Sequence, residues 1–192
     1  MKPKADSTTL EKVLARLLPR KSINPHYCTA AVPLFGLIAG WLFGRGALRA
    51  AGVFVLVSGL FDLLDGAMAR KYQRVTRFGA FFDSVCDRYA EFFIYTGIGV
   101  YSFGEADSTL LILTFLLAMG AFVTSYTRAR SEPLGVRCAG GWVRRPERVI
   151  LLGLGAFFYK LYFVMWILAL LSNLTALQRV VFVYRALEEK QS

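Results

Sequence analysis

Four of the six aspartates in this 192-residue chain lie within one short stretch, at Asp62, Asp65, Asp83 and Asp87. The first two are three residues apart and the last two are four apart, so each pair occupies one face of a helix. A hairpin between these helices would make the pairs face each other. Facing carboxylates repel unless a cation lies between them, and oxygen ligands suit Mg²⁺ or Mn²⁺ rather than zinc. The stretch therefore predicts a divalent metal centre. Glu91, one turn further on, either tunes this centre or pairs with the arginine beside the last aspartate.

The residues around these aspartates suit a phosphate-bearing substrate. Gly66 and Gly79 carry no side chain where backbone or substrate must come close, and Ala69 is small for the same reason. Arg70 adds a guanidinium whose parallel N–H groups match phosphate oxygens. The alternative is that the acids form ordinary ion pairs with basic neighbours, namely Arg70, Lys71, Arg74, Arg77 and Arg88. One or two acids could do so, but the whole set at these spacings favours the metal centre.

A second polar region lies further along the chain. It contains Ser125 and Arg128, then Arg148 in the next apolar segment, and Arg179 near the end of the last one. One hydroxyl and several guanidiniums in a common pocket would bind a phosphate, which favours a phosphorylated acceptor over neutral inositol or serine. Arginines are also ordinary at the cytoplasmic ends of membrane helices. That explanation is preferred for four others: Arg130, Arg137, Arg144 and Arg185.

The composition indicates the scaffold that must position these residues. The chain is 56% hydrophobic with a mean hydropathy of +0.48, yet it carries 23 basic and 13 acidic residues and a net charge of +10. This combination excludes a disordered tail and argues against a soluble nucleic-acid binder, while three cysteines are too few for a disulfide-stapled module. A membrane protein of several spanning helices, in contact with lipid and not with nucleic acid, remains.

Six apolar segments predict an all-α integral membrane protein with six transmembrane helices. The predicted spans cover residues 22–44, 47–64, 78–103, 108–127, 148–159 and 161–178. They form one domain over residues 22–192. Residues 1–21 predict a separate cytoplasmic amphipathic helix in the membrane interface, because Leu10, Leu14 and Leu17 share one helical face with basic residues off it.

The basic residues also predict the orientation of the chain. They concentrate in the N-terminal region, the C-terminal region and the segments 66–77 and 128–147, whereas the opposite loops hold only Arg45, Arg49 and Lys160. Because cytoplasmic loops of membrane proteins carry the excess of Lys and Arg, both termini and the carboxylates are expected on the cytoplasmic side. The expected location is the cytoplasmic membrane of the cell.

The pattern D-x2-D-G-x2-A-R-x8-G-x3-D-x3-D, from Asp62 to Asp87, resembles the signature of the CDP-alcohol phosphotransferase family at every defined position. The resemblance implies a six-helix enzyme that displaces CMP from a CDP-linked lipid by an attacking hydroxyl. It implies two ions, Mg²⁺ or Mn²⁺, on Asp62, Asp65 and Asp83 with Asp87 near them, and Asp87 as the general base. The implied CDP site consists of Thr29, Asp62, Gly66, Ala69, Arg70 and Gly79.

The second polar region is similar to the bacterial phosphatidylinositol-phosphate synthases, a group within this family. Their inositol-phosphate pocket corresponds to Ser125, Arg128, Arg148 and Arg179. The resemblance implies transfer of a phosphatidyl group from CDP-diacylglycerol to a phosphorylated polyol, with inositol 1-phosphate favoured, by an enzyme that forms a homodimer. Two alternatives stay open: phosphatidylglycerophosphate synthesis from glycerol 3-phosphate, and a non-catalytic metal-binding transporter or scaffold.

Overall fold

The computed structural model describes residues 25–138 and 140–189, which form six α-helices and no β-strand. The helices are α1 (Pro25–Gly44), α2 (Leu48–Lys71), α3 (Arg77–Gly104), α4 (Ser108–Ser131), α5 (Arg145–Phe157) and α6 (Leu161–Glu188). A short 3₁₀-helix, Glu132–Leu134, follows α4. The amphipathic helix predicted over residues 1–21 lies outside the described residues.

The helices α1, α2, α4 and α6 are long and apolar enough to cross a membrane by length and composition. Together with the absence of strands from the described part of the chain, they confirm an all-α membrane protein of several passes. The other two helices differ in character. Charged residues interrupt α3, and α5 has 13 residues, which gives a length of about 20 Å.

Several helices extend beyond the spans predicted from hydropathy. The helix α2 ends at Lys71 rather than near residue 64, α4 ends at Ser131 rather than 127, and α6 ends at Glu188 rather than 178. Hydropathy marks where lipid ends, whereas a helix continues into water through residues of high helix propensity such as Arg and Lys. The predicted span over residues 47–64 would end between Asp62 and Asp65, and this boundary was wrong, because both residues lie inside α2.

A tight connection over residues 72–76 joins α2 to α3. The backbone N–H of Arg74 donates to the Ala69 carbonyl at 2.8 Å, and Gln73 adopts a positive φ of 54°. Thr76 caps α3, since its Oγ1 accepts a hydrogen bond of 2.9 Å from the Gly79 backbone N–H. This connection forms the predicted hairpin, which aligns the two aspartate pairs.

The six helices pack side by side in a closed ring. The helix α1 contacts α2 and α3, α3 contacts α4, α4 contacts α6, α6 contacts α5, and α5 returns to α2. The consecutive helices α2 and α3 touch over only a short region. Apolar side chains fill the interior, including Phe43, Val55, Ile98, Leu117 and Met165. Because α5 packs on α2 and its first residue reaches the aspartates, residues from three helices meet at one end of the ring.

The crossing of α1 and α3 depends on glycine. A Cβ atom added at Gly97 would overlap the backbone of Gly40, and one added at Gly40 would overlap the Phe93 carbonyl. Backbone atoms cannot move aside as flexible side chains can, so this crossing fixes how closely α3, which carries two of the aspartates, approaches α1.

We expect Gly97→Ala to destabilise the protein by about 1–3 kcal/mol, because the added methyl group overpacks a backbone contact. Gly104→Ala, in the same helix, is the matched control, since nothing lies within 4 Å of its added Cβ atom. Thermal unfolding in detergent micelles measures both. Equal unfolding midpoints for the two variants would contradict the packing described here.

Candidate active site

The structure brings three of the predicted metal ligands into one cluster. Asp62 from α2 and Asp83 and Asp87 from α3 each offer a carboxylate oxygen, and these oxygens all lie within 4.8 Å of one another. Asp65, one turn further along α2, is buried beside them. All the groups in this cluster are carboxylates, which are the ligands that hard divalent cations prefer.

Two buried carboxylate oxygens of this cluster indicate that a cation fits it. Asp65 Oδ2 and Asp83 Oδ1 have no hydrogen-bond partner among the described residues. A buried acceptor without a partner costs free energy, and a divalent ion would satisfy several such oxygens at once. The residues present therefore fit a divalent metal centre of the predicted kind.

Five of the six predicted CDP residues line one cavity beside Asp65 and Asp83. The cavity is formed by Thr29, Asp65, Gly66, Ala69, Arg70, Arg74, Val75, Thr76, Gly79, Ala80 and Asp83. The Thr29 side chain hydrogen-bonds the Asp65 carboxylate, which links α1 to the cluster. A Cβ atom at Gly66 would lie 3.2 Å from Arg70 Nη2, so glycine leaves room for that guanidinium. Sequence reasoning missed Arg74 and Thr76 as cavity residues.

The sixth predicted CDP residue, Asp62, borders a separate groove between α2 and α5. The groove is almost entirely apolar and is lined by Leu56, Gly59, Leu60, Asp62, Leu63, Pro146, Val149 and Ile150. Asp62 is the only acid among its lining residues. The groove therefore leads along apolar helix faces directly to the carboxylate cluster.

Arg145, which was not predicted to belong to the site, contacts the cluster directly. Its Nη1 lies 2.7 Å from Asp62 Oδ2 and its Nη2 lies 2.8 Å from Asp87 Oδ1. Arg88 Nη2 lies 3.5 Å from the other oxygen of Asp87. The alternative predicted from sequence paired the acids with basic residues close to them in the chain. Among the described residues, however, this distant arginine forms ion pairs of 2.7 and 2.8 Å with two of them. The only sequence signal was its position three residues before Arg148, on the same helix face.

Arg148 is held inside the bundle by Glu91. The Arg148 side chain is 2% exposed, and its Nη2 donates a hydrogen bond of 2.6 Å to Glu91 Oε1. Arg88 Nε lies 3.7 Å from Glu91 Oε2, and Arg88 Nη1 donates a hydrogen bond to Ser125 Oγ. Glu91 thus pairs with Arg88, which was one of the two alternatives predicted for it. It also anchors Arg148, one of the predicted acceptor residues.

Arg179 is tied to the backbone of neighbouring elements. Its Nη1 donates to the Thr124 carbonyl at 2.6 Å and its Nε donates to the Gly140 carbonyl at 3.0 Å. Arg128 is different, because its side chain is 63% exposed and pairs with Glu132 at 3.3 Å. Arg128 and Arg148 both interact electrostatically with Arg179. The structure therefore gathers the four predicted acceptor residues in one region, although Arg128 lies at its surface.

The loop before α5 covers this region from one side. The Val143 backbone N–H donates to Thr175 Oγ1 at 3.2 Å, which fastens the loop to α6. Cys138 is buried in the loop, and burial raises the pKa of its thiol, although the nearby guanidiniums of Arg128 and Arg179 act in the opposite direction. This cysteine is a protonated packing residue at neutral pH.

The family model for CDP-alcohol phosphatidyltransferases matches residues 24–184, most of the chain. This chain belongs to that family. Membership confirms the predicted family, and it identifies the chain as an enzyme of the CDP-alcohol phosphatidyltransferase class. The matched range contains every residue of the carboxylate cluster, the cavity and the acceptor region.

Similar proteins are found in bacteria and archaea. The phosphatidylinositol phosphate synthase of Mycobacteroides abscessus is 36% identical over 176 residues, which cover 87% of this chain and 80% of that protein. The archaetidylinositol phosphate synthase of Methanothermobacter thermautotrophicus is 32% identical, with 93% of this chain and 92% of that protein covered.

Solved structures of the Mycobacterium tuberculosis phosphatidylinositol phosphate synthase have the same fold. The structure with CDP-DAG bound has a TM-score of 0.80 and 34% identity, and covers 92% of this chain and 94% of that one. The structure in complex with manganese and citrate has a TM-score of 0.79 and 34% identity, and covers 91% of this chain and 88% of that one.

We expect Glu91→Ala to destabilise the protein by about 3–5 kcal/mol, because it leaves the buried Arg148 guanidinium without its counterion. Glu132→Ala is the matched control, since it breaks an exposed pair with Arg128 worth about 0–1 kcal/mol. Thermal or denaturant unfolding in micelles gives both values. A Glu91→Ala protein as stable as Glu132→Ala would contradict the buried ion pair.

Proposed function

We propose that this enzyme transfers the phosphatidyl group of CDP-diacylglycerol to inositol 1-phosphate and releases CMP. The observation that carries the proposal is the position of the carboxylate cluster. It borders a cavity with charged and hydroxyl side chains in its wall and a separate apolar groove, and Arg88 and Glu91 link it to the buried Arg148. A nucleotide, a lipid and a phosphorylated acceptor could therefore all reach the same point. The names of the bacterial relatives and the bound CDP-DAG of one solved relative support this choice.

In the proposed metal centre, Asp62, Asp65, Asp83 and Asp87 hold two ions of Mg²⁺ or Mn²⁺. The oxygens without partners support this assignment, as does the manganese in a solved relative. When bound, the ions would neutralise negative charge on the pyrophosphate and on the departing CMP. The carboxylates would hold the ions in a defined position, because they come from two helices joined by a short connection.

In the proposed donor site, the nucleotide occupies the cavity and the acyl chains lie in the groove. Arg70 faces the cavity with a guanidinium suited to phosphate, while Thr29, Gly66, Ala69 and Gly79 form its wall. The groove side chains from α2 and α5 are apolar, which suits diacylglycerol. Asp62 borders the groove and Asp65 borders the cavity. The pyrophosphate that joins lipid to nucleotide would therefore lie next to the carboxylate cluster.

In the proposed acceptor site, Ser125, Arg128, Arg148 and Arg179 hold the phosphate of the polyol. The guanidiniums of Arg128 and Arg148 each lie within electrostatic range of Arg179, and such a group of like charges favours a bound anion. Asp87 accepts the proton of the attacking hydroxyl. The hydroxyl oxygen forms a bond to the lipid-side phosphorus while the bond from that phosphorus to the CMP oxygen breaks, and CMP leaves with the electron pair.

We further propose that all six helices cross the cytoplasmic membrane, with both termini and the active site on the cytoplasmic side. The concentration of basic residues at the site's end of the bundle supports this orientation. Asp62 precedes the end of α2 by nine residues, or about 14 Å of helix. The end of α2 therefore projects beyond the carboxylate cluster toward the cytoplasm, and the short α5 can begin at the level of the cluster.

Residues 1–21 would form the interfacial helix beside the domain 22–192, and two copies would form a homodimer.

We expect purified enzyme with Mg²⁺ or Mn²⁺ to release CMP from CDP-diacylglycerol only when a phosphorylated polyol is present. A panel of inositol 1-phosphate, glycerol 3-phosphate, inositol and serine should give the highest kcat/KM for inositol 1-phosphate, because the arginines select an acceptor phosphate. EDTA should abolish the release. If no acceptor gave metal-dependent CMP release, the proposed enzymatic activity would be contradicted. A preference for glycerol 3-phosphate would contradict the assignment of inositol 1-phosphate as the acceptor.

We expect Arg128→Gln to raise the acceptor KM by about 10-fold to 100-fold, the loss expected for a charge-assisted hydrogen bond to phosphate. Its KM for CDP-diacylglycerol should not change. Arg130→Gln is the matched control, because this exposed arginine lies on nearly the opposite side of α4. Steady-state kinetics measure both. The same acceptor KM in the two variants would contradict the assignment of Arg128.

A further inference from the structure

Arg145 joins three helices through the carboxylate cluster. It lies in the first turn of α5, and its two terminal nitrogens contact Asp62 on α2 at 2.7 Å and Asp87 on α3 at 2.8 Å. Its side chain is 11% exposed. A buried guanidinium shared by two carboxylates is strongly oriented, because its planar donors must match both partners. Arg145 is therefore a fixed structural component of the carboxylate cluster.

The same two aspartates are members of the group that could hold a metal ion. One oxygen each from Asp62, Asp83 and Asp87 could surround a single cation. Mg²⁺ binds carboxylate oxygens at about 2.0–2.1 Å, well inside the distance of an ion pair. A guanidinium and a divalent cation on the same two carboxylates would repel each other, so each weakens the binding of the other at this position.

Arg88, the other arginine paired with Asp87, forms a longer ion pair with this one member of the cluster. Arg88 approaches Asp87 at 3.5 Å, but it does so at Oδ2, whereas Arg145 binds Oδ1. Arg88 is also engaged by Glu91 and Ser125. Of the cationic groups with ion pairs recorded among the described residues, Arg145 alone bridges two of the proposed metal ligands.

We propose that Arg145 competes with the divalent cation for Asp62 and Asp87, and that metal binding turns its guanidinium toward the substrate phosphates. Arg145 thus supplies positive charge to Asp62 and Asp87 when no cation is bound, and lowers the metal affinity of the cluster. Arg145 lies one helical turn before Arg148, so a released guanidinium stays close to the proposed acceptor site. The inference rests on the metal centre of the proposed function and adds a positioning residue to it.

The test is Mn²⁺ binding without substrate, measured in micelles by electron paramagnetic resonance of the free ion. Arg145→Gln should bind Mn²⁺ about tenfold more tightly than the wild type, a coupling typical of two linked sites. Arg144→Gln removes the same charge from the adjacent, exposed residue and should stay within about twofold of the wild type. Arg145→Lys keeps the charge but cannot bridge two carboxylates, so its affinity should rise less than that of Arg145→Gln.

A second measurement follows the unfolding midpoint in EDTA and in saturating Mn²⁺. The stabilisation by Mn²⁺ should be larger for Arg145→Gln than for the wild type, because the variant starts with unpaired carboxylates. Unchanged or weaker Mn²⁺ binding in Arg145→Gln and Arg145→Lys would overturn the proposal, as would equal tightening in Arg144→Gln. Binding is measured without CDP-diacylglycerol, so a failure of CMP release would contradict the proposed reaction separately.

Discussion

The mutual repulsion of the clustered carboxylates is the constraint on which the rest of this structure depends. Asp62, Asp83 and Asp87 present oxygens within 4.8 Å of one another at the mouth of an apolar bundle. Positive charge beside the carboxylates relieves this repulsion. Arg145 supplies it to Asp62 and Asp87, Arg88 lies 3.5 Å from Asp87, and a divalent cation is the proposed further source. The proposed competition between Arg145 and the cation links metal binding to the orientation of the Arg145 side chain, which lies one helical turn before Arg148 of the proposed acceptor site.

The helical ring brings the carboxylate cluster close to all three proposed ligand sites. The two aspartate pairs are fixed by the short connection between α2 and α3, while α5 closes the ring against α2. The cavity lies on the α1 and α3 side of the cluster and the groove on the α5 side. The buried pair of Glu91 and Arg148 then holds α5 against α3. The proposed donor and acceptor sites are therefore parts of one charge network.

The sequence was informative wherever a local pattern decides the outcome. Apolar segments located the six helices of the described residues, and the spacing of the aspartates predicted the three carboxylates that meet in the cluster. Hydropathy misplaced the ends of α2, α4 and α6, because charged residues continue a helix outside lipid. The role of Arg145 could not be predicted, since its partners are 83 and 58 residues away in sequence and only tertiary packing brings them together. The same holds for the pairing of Arg148 with Glu91.

The central claim is that the carboxylates of α2 and α3 hold the ions that the reaction needs. Anomalous diffraction from crystals grown with Mn²⁺ and CDP-diacylglycerol tests it most directly. We predict two anomalous peaks bounded by Asp62, Asp65, Asp83 and Asp87, each about 2.1 Å from carboxylate oxygens, with Arg145 turned away from Asp62. Peaks located elsewhere, or no peak at these aspartates in protein that releases CMP, would contradict the account.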